Sequence, residues 1–385
     1  MRREAPGTYE EAAQTLRECH EAGRTVRLRG GGTKLGWGNE IQTDAEVSTQ
    51  GLDQVLEHNE GDLTAVLQAG VPLARAQKTF AAAGQMLALD PPDGAPGPEG
   101  VTVGGTVATA DSGPLRHRYG GPRDLVIGVT VALADGTIAR AGGKVIKNVA
   151  GYDLGKLMAG SFGTLGLILQ VSVRLHPWPR AVATATGNTA NPDALGRAAA
   201  LLGRLPLEAD ALDVAWKDGT GGVLVRFSGE TATDRARAAC GHIAEAGLDA
   251  DVLEADTGAW AAQRGHQRAP EDGSLVRVSG LPAELPRILR AADRVQGSAV
   301  GRAVLGLSWV RLPPASDDDA AAAIEDLRRE LRPFPCTVLD APAGVRGAID
   351  PWGETNSGAL ALHRRVKERF DPAGTCNPGL YVGAI

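Results

Sequence analysis

Three short glycine-rich elements hold the residues whose types and spacing suit chemistry. They are Arg29-Gly30-Gly31-Gly32-Thr33-Lys34; Thr102-Val103-Gly104-Gly105-Thr106, running on through Ala108 to Asp111-Ser112-Gly113; and Gly160-Ser161-Phe162-Gly163-Thr164-Leu165-Gly166. Glycine lets the backbone take positive φ and turn successive N–H groups toward one point, and it keeps a Cβ out of the way of a close ligand. Such a nest suits a pyrophosphate. A hydrogen bond to a charged group contributes roughly 1.5–3 kcal/mol, so a few convergent donors hold a dinucleotide without an ion pair. Thr33, Thr102 and Ser112 add hydroxyls. Any one of these elements reads equally well as a tight turn; together, in one domain, they favour a phosphate ligand. No GxGxxG opens a helix with an acid about 20 residues on, and no GxxxxGK[ST] occurs, so the nest is of neither the Rossmann nor the P-loop kind.

The elements that must position these loops follow from pattern. Thr8-Tyr9-Glu10-Glu11 is a capping box. The helix it opens is expected to reach about Gly23 and to bury Ala12, Leu16 and Cys19 on one stripe. Thr25–Arg29 alternates as a strand that empties into Gly30. Strands are expected at Leu63–Ala69 and Met86–Leu89, with a helix from Pro72 through Ala83 between them. Residues 90–122 are expected to be irregular, and long loops in compact domains are uncommon unless they hold something. Val126–Leu133 and Thr137–Arg140 form a hairpin about Asp135-Gly136, and a short helix lies near Asp153–Met158. Leu165–Leu175 is then the last strand before His176-Pro177-Trp178-Pro179, where two prolines end it.

Beyond that point strands (Leu212–Trp216, Val223–Phe227, Leu275–Val278, Ala303–Leu312) alternate with Ala- and Arg-rich helices (Thr233–Ala246, Glu284–Ala292, Asp318–Leu331). The mixture predicts an antiparallel sheet with helices on one face. A closing segment from 341 carries a helix from Ser357 to Phe370. The chain's 385 residues exceed the roughly 250–300 at which one core stops growing. An α+β protein is expected, with domains at 1–178 and 179–340 and a segment, 341–385, that returns to the first.

Forty Lys plus Arg against 46 Asp plus Glu give a formal charge of −6, so no broad basic field attracts nucleic acid. The run His363-Arg364-Arg365-Val366-Lys367 reads as a solvated helix face. Cys19, Cys240, Cys336 and Cys376 lie far apart without a CxxC pair, which argues against zinc, an iron–sulfur cluster or a disulfide framework. The start lacks the apolar core of a signal peptide, and no run of about 18 apolar residues suits a transmembrane segment. A cytoplasmic protein is expected, docked at most on a membrane-peripheral partner.

The loop Arg29–Lys34, the stretch Thr102–Ala108 and above all KNVAGYDLGKLMAGSFGTLGLI at 147–168 resemble FAD-binding flavoproteins of the vanillyl-alcohol oxidase (PCMH) type. Within that group the chain resembles the FAD-binding subunit of bacterial glycolate oxidase (GlcE type). Ser112–Arg116 with Arg123-Asp124, Ala341–Arg346 leading to Asp350–Gly353, and Phe370-Asp371-Pro372 with Asn377-Pro378-Gly379 carry the same resemblance. It implies a two-subdomain PCMH-type FAD-binding domain with an α+β cap domain. It places Gly30–Lys34 and Thr102–Gly105 against the pyrophosphate. Ser112, Gly113 and Ile168 lie along the cofactor and Asn377 near its flavin end, with Arg29, Pro91, Ala108, Gly163 and Gly166 completing the set. Where some relatives attach FAD through a histidine in the first glycine loop, this chain has Thr33 and Lys34, so non-covalent FAD is expected. Leu380 stands where a basic residue usually follows Asn-Pro-Gly.

Oxidising a 2-hydroxy acid needs a base for the hydroxyl proton and cations for the carboxylate. The seven histidines are scattered, with no HxH and no neighbouring acidic ligand, so no metal site is expected and no catalytic residue is assigned. His117, Arg116, Arg118, Tyr152 and Asp153 are the nearest candidates. The favoured reading is an electron-transferring subunit beside a catalytic FAD subunit and an iron–sulfur subunit of a glycolate oxidase complex. The alternatives are a self-sufficient FAD-dependent oxidoreductase on another small hydroxy acid or alcohol, and a structural subunit with weak or no FAD.

Overall fold

The computed structural model describes residues 2–93, 100–144, 153–253 and 257–385. Two compact units emerge: residues 1–112, 120–178 and 355–385 form the first, and 113–119 with 179–354 form the second.

The first unit begins as expected. Thr8 caps the helix Tyr9–Glu21 in a complete capping box, and Ala12, Ala13, Leu16 and Cys19 are buried. Fully burying a leucine such as Leu16 contributes roughly 1.5–3 kcal/mol. Removing the cap is expected to weaken the unit: Thr8→Ala should cost about 1 kcal/mol, read as a lower urea midpoint at unchanged slope. Two small sheets follow. The parallel one runs Arg2–Glu4, Ala45–Ser48, Val26–Arg29. The antiparallel one runs Val55–Asn59, Thr64–Gln68, Leu167–Arg174, Val126–Ala132, Ile138–Gly142. The helix Tyr9–Glu21 shares its core with both, through Val26, Leu28, Val47, Ala132, Leu167 and Leu169.

Three local expectations need correction. Met86–Leu89 shortens to the strand Gln85–Met86, because the Gln77 side chain replaces a ladder partner. Its Nε2 donates to the carbonyls of Leu87 (2.5 Å) and Leu89 (3.1 Å), and its Oε1 accepts from the Leu87 N–H. The prolines after Leu175 do not stop pairing at once, since His176-Pro177 pairs antiparallel with Gln85-Met86. The stretch 90–122 is not irregular throughout: it contains the helix Val103–Thr109 and single turns at Arg116–Tyr119 and Pro122–Leu125.

In the second unit eight antiparallel strands stand in the order Asp249–Leu253, Val182–Thr189, Thr220–Ser228, Ala211–Lys217, Ser298–Arg302, Leu307–Leu312, Ser274–Ser279, Cys336–Asp340. The expected single strand 303–312 is a hairpin turning at Ala303–Gly306. Helices Pro192–Leu202, Ala232–Glu245, Leu285–Arg294 and Asp317–Leu331 supply one core with the sheet. The fold is α+β.

Candidate functional site

A cleft open to solvent lies within the first unit. Strand Val26–Arg29 delivers the first glycine loop to it, helix Val103–Thr109 the second element, and the loop before strand Leu167–Arg174 the third. Of the residues singled out in the sequence, Arg29, Gly30, Gly31, Gly32, Thr33, Lys34, Thr102, Gly104, Gly105, Ala108, Gly163, Gly166, Ile168 and Asn377 line it. Pro91, Val103 and Ser112 do not; Val103 and Ser112 are buried in packing. Gly113 belongs to the second unit, where its carbonyl accepts from Arg302 Nε at 3.0 Å. The sequence KNVAGY at 147–152, with Tyr152, lies outside the described residues.

The second element differs in kind from the expected nest. Thr102 caps the helix by accepting from the Gly105 N–H, while the Val103 and Gly104 N–H groups donate to the carbonyls of Val71 (2.9 Å) and Ala69 (2.8 Å). Its amides are spent on the protein, because the helix start is docked on the end of the neighbouring strand. Only glycine permits that approach at 104, where a Cβ would meet the Ala69 Cβ at 2.5 Å and its carbonyl oxygen at 2.8 Å. Free amides come instead from the other two loops. The N–H groups of Gly31, Gly32 and Gly163 donate to no protein acceptor among the described residues, and Gly163 holds φ +71°.

Charge is distributed unevenly. Arg27, Arg29 and Lys34 line the cleft; Arg29 lies 3.7 Å from Glu46, and Lys34 pairs with Asp111 at 3.2 Å, both side chains buried. The Lys34 ammonium also sits over the Trp37 ring. Elsewhere the walls are apolar, from Leu35, Trp37, Phe162, Leu167, Ile168 and Leu380. Thr49 Oγ1, also in the wall, is buried without a hydrogen-bond partner among the described residues. Unspent amides, cations and an orphaned hydroxyl beside an aromatic and aliphatic wall fit a flavin dinucleotide. Arg27, Leu35, Trp37 and Thr49 escaped the sequence reading, since none of them falls in a glycine-rich element, and Phe162, inside the third one, was passed over in favour of its glycines. Trp37, three residues beyond Lys34, was the one readable signal.

The catalytic candidates scatter. His117, Arg116 and Arg118 belong to the second unit, where Arg118 Nη1 donates to the Glu208 carbonyl and lies 3.4 Å from Asp210. Burial pushes the His117 imidazole below its ordinary pKa, against the pull of Asp210. Asp153 pairs with Lys156 at 3.3 Å. No histidine, carboxylate or tyrosine lines the cleft among the described residues.

Residues 4–142 match the family model described as FAD binding domain. The uncharacterized FAD-linked oxidoreductase Rv2280 of Mycobacterium tuberculosis is 28% identical over 98% of this chain and 90% of its own length. Glycolate oxidase subunit GlcE of Escherichia coli is 39% identical, over 33% of this chain and 35% of its own length. A crystal structure of alkyldihydroxyacetonephosphate synthase superposes with a TM-score of 0.72, at 16% identity, over 98% of this chain and 76% of that one. The chain thus has a PCMH-type FAD-binding fold and carries an FAD-binding domain. FAD is its cofactor, and the protein is related to FAD-linked oxidoreductases.

Proposed function

We propose that the chain is an FAD-dependent oxidoreductase component, acting as the electron-transferring subunit of a complex that oxidises glycolate or a similar small 2-hydroxy acid. The observation that carries this is the composition of the cleft. It offers amides, cations and apolar walls for FAD, and among the described residues neither a base nor a histidine ligand set for substrate. Bound FAD supplies reversible acceptance of two electrons. Arg27, Arg29 and Lys34, with the amides of Gly31, Gly32 and Gly163, would hold its phosphates and polar edges, while Trp37, Phe162, Leu167 and Ile168 exclude water from its apolar parts. A catalytic FAD subunit and an iron–sulfur subunit are the proposed partners, on the strength of the likeness to GlcE. No helix among the described residues is long and apolar enough to cross a membrane, so any membrane attachment is proposed to run through those partners.

Two measurements test the proposal. The purified chain should show flavin absorbance that passes to the supernatant on acid precipitation, because the first glycine loop has no histidine for attachment. With glycolate and an artificial acceptor, the isolated chain should turn over negligibly. A second reading, a self-sufficient oxidoreductase, is favoured by the match to Rv2280, which spans nearly the whole chain. Rapid anaerobic bleaching of the flavin by glycolate or D-lactate would decide for that reading.

A further inference from the structure

The third glycine loop is bonded to residues 367–377 of the C-terminal segment. Lys367, on the helix Ser357–Phe370, donates to the carbonyls of Thr164 (2.7 Å) and Cys376 (2.8 Å) and to Asp371 Oδ2 (2.6 Å). An ammonium has three donors, and all three are used. Asp371, its side chain fully buried, accepts from the N–H groups of Thr375 (2.9 Å) and Cys376 (2.7 Å). The segment so fixed lays Cys376 beside Val26 as a parallel bridge. Asn377 then spans two elements: its Oδ1 accepts from the Leu28 N–H at 2.8 Å, and its Nδ2 donates to the Phe162 carbonyl at 2.7 Å. From the other side, the N–H groups of Gly160 and Phe162 donate to the carbonyls of Val107 and Ala108.

A trans peptide is planar, with C=O and N–H opposed. Fixing the Phe162 carbonyl on Asn377 therefore fixes the direction of the Gly163 N–H, the amide without a protein acceptor among the described residues. Burying a charge pair is costly unless its remaining donors and acceptors are satisfied; here they are, and the network ties the third glycine loop, through Thr164, to the segment that carries Asn377.

We propose that Lys367, Asp371 and Asn377 are positioning residues for the cofactor. Together they clamp the loop Gly160–Gly166 so that the Gly163 amide donates to an oxygen of the flavin dinucleotide. This rests on the reading of the cleft as the FAD site and makes the C-terminal segment a determinant of FAD affinity.

The test is a titration of apo-protein with FAD, followed by flavin fluorescence, for the wild type, Asn377→Asp and Lys367→Met. Asn377→Asp keeps the acceptor for Leu28 and turns an acceptor on the Phe162 carbonyl. Its Kd at about pH 8 should rise about tenfold or more, the loss of one hydrogen bond to a charged group. Acidification to about pH 5 should recover affinity in this variant relative to wild type, since the protonated new carboxyl can donate again. Lys367→Met should weaken binding comparably; if it fails to fold, the Asn377→Asp series alone decides. A wild type that binds FAD beside variants that bind equally well, with no pH-dependent recovery, would overturn the positioning role alone. A wild type that takes up no FAD would remove the reading of the cleft, and this role with it.

Discussion

Gly105→Val is expected to leave the fold standing and to cost the protein its FAD. Gly105 sits in the first turn of the helix Val103–Thr109 and lines the cleft. A Cβ there would have one protein neighbour, Thr102 Oγ1 at 3.0 Å, so the added side chain projects into the space the dinucleotide needs. Glycine is itself a poor helix residue, by about 1 kcal/mol against alanine, so the stability of the apo-protein should change by about 1 kcal/mol at most. The neighbouring variant separates causes. Gly104→Val drives a side chain into Ala69, and overpacking of that kind costs typically 1–3 kcal/mol; it should lose flavin through displacement of the helix. The ratio of flavin to protein absorbance after gel filtration, with urea unfolding of both apo-proteins, distinguishes the two. Full flavin content in Gly105→Val would remove the assigned cofactor site.

The second large effect lies in the other unit. Arg302 and Asp213 are wholly buried and 2.6 Å apart. Arg302 also donates to Gln267 Oε1 (2.6 Å) and the Gly113 carbonyl, and lies over the Trp309 ring; Asp213 accepts from Gln263. Arg302→Leu leaves a buried carboxylate without its cation and should destabilise this unit by about 3–5 kcal/mol. Replacing both residues by leucine should cost less than the sum of the single changes, as expected for groups in one network. Burial pushes the Asp213 carboxyl up to about 6 from its ordinary 3.8, with Arg302 and Gln263 opposing the rise. The folded unit therefore holds this proton more tightly than the unfolded chain. The contribution of Asp213 to stability is full below about pH 4 and is lost as the pH climbs through 6. Measured against Asp213→Asn, wild-type stability should fall over that window. A flat difference would show that the carboxyl is ionised throughout.

Local chemistry explains which parts of the fold were legible. The capping box at Thr8, the Asp135-Gly136 hairpin and the helix Ser357–Phe370 each depend on neighbours in sequence, and each stands as read. The helix Val103–Thr109 was hidden because its two glycines read as breakers. They are tolerated because Thr102 caps the turn and the end of the neighbouring strand takes up its amides. The strand Cys336–Asp340 and the pairing of His176-Pro177 likewise exist through partners distant in sequence.

The sequence by itself singled out three glycine-rich elements as candidates for one phosphate-bearing ligand, because glycine lets the backbone approach closely and take positive φ. Only the tertiary structure decided which amides remain free for it. An N–H can be spent once, and whether it meets a protein carbonyl depends on what packs beside it. Gly104 gives its donor to Ala69, whereas the Gly163 N–H meets no protein acceptor among the described residues, and the carbonyl of the same peptide is held by Asn377, far along the chain.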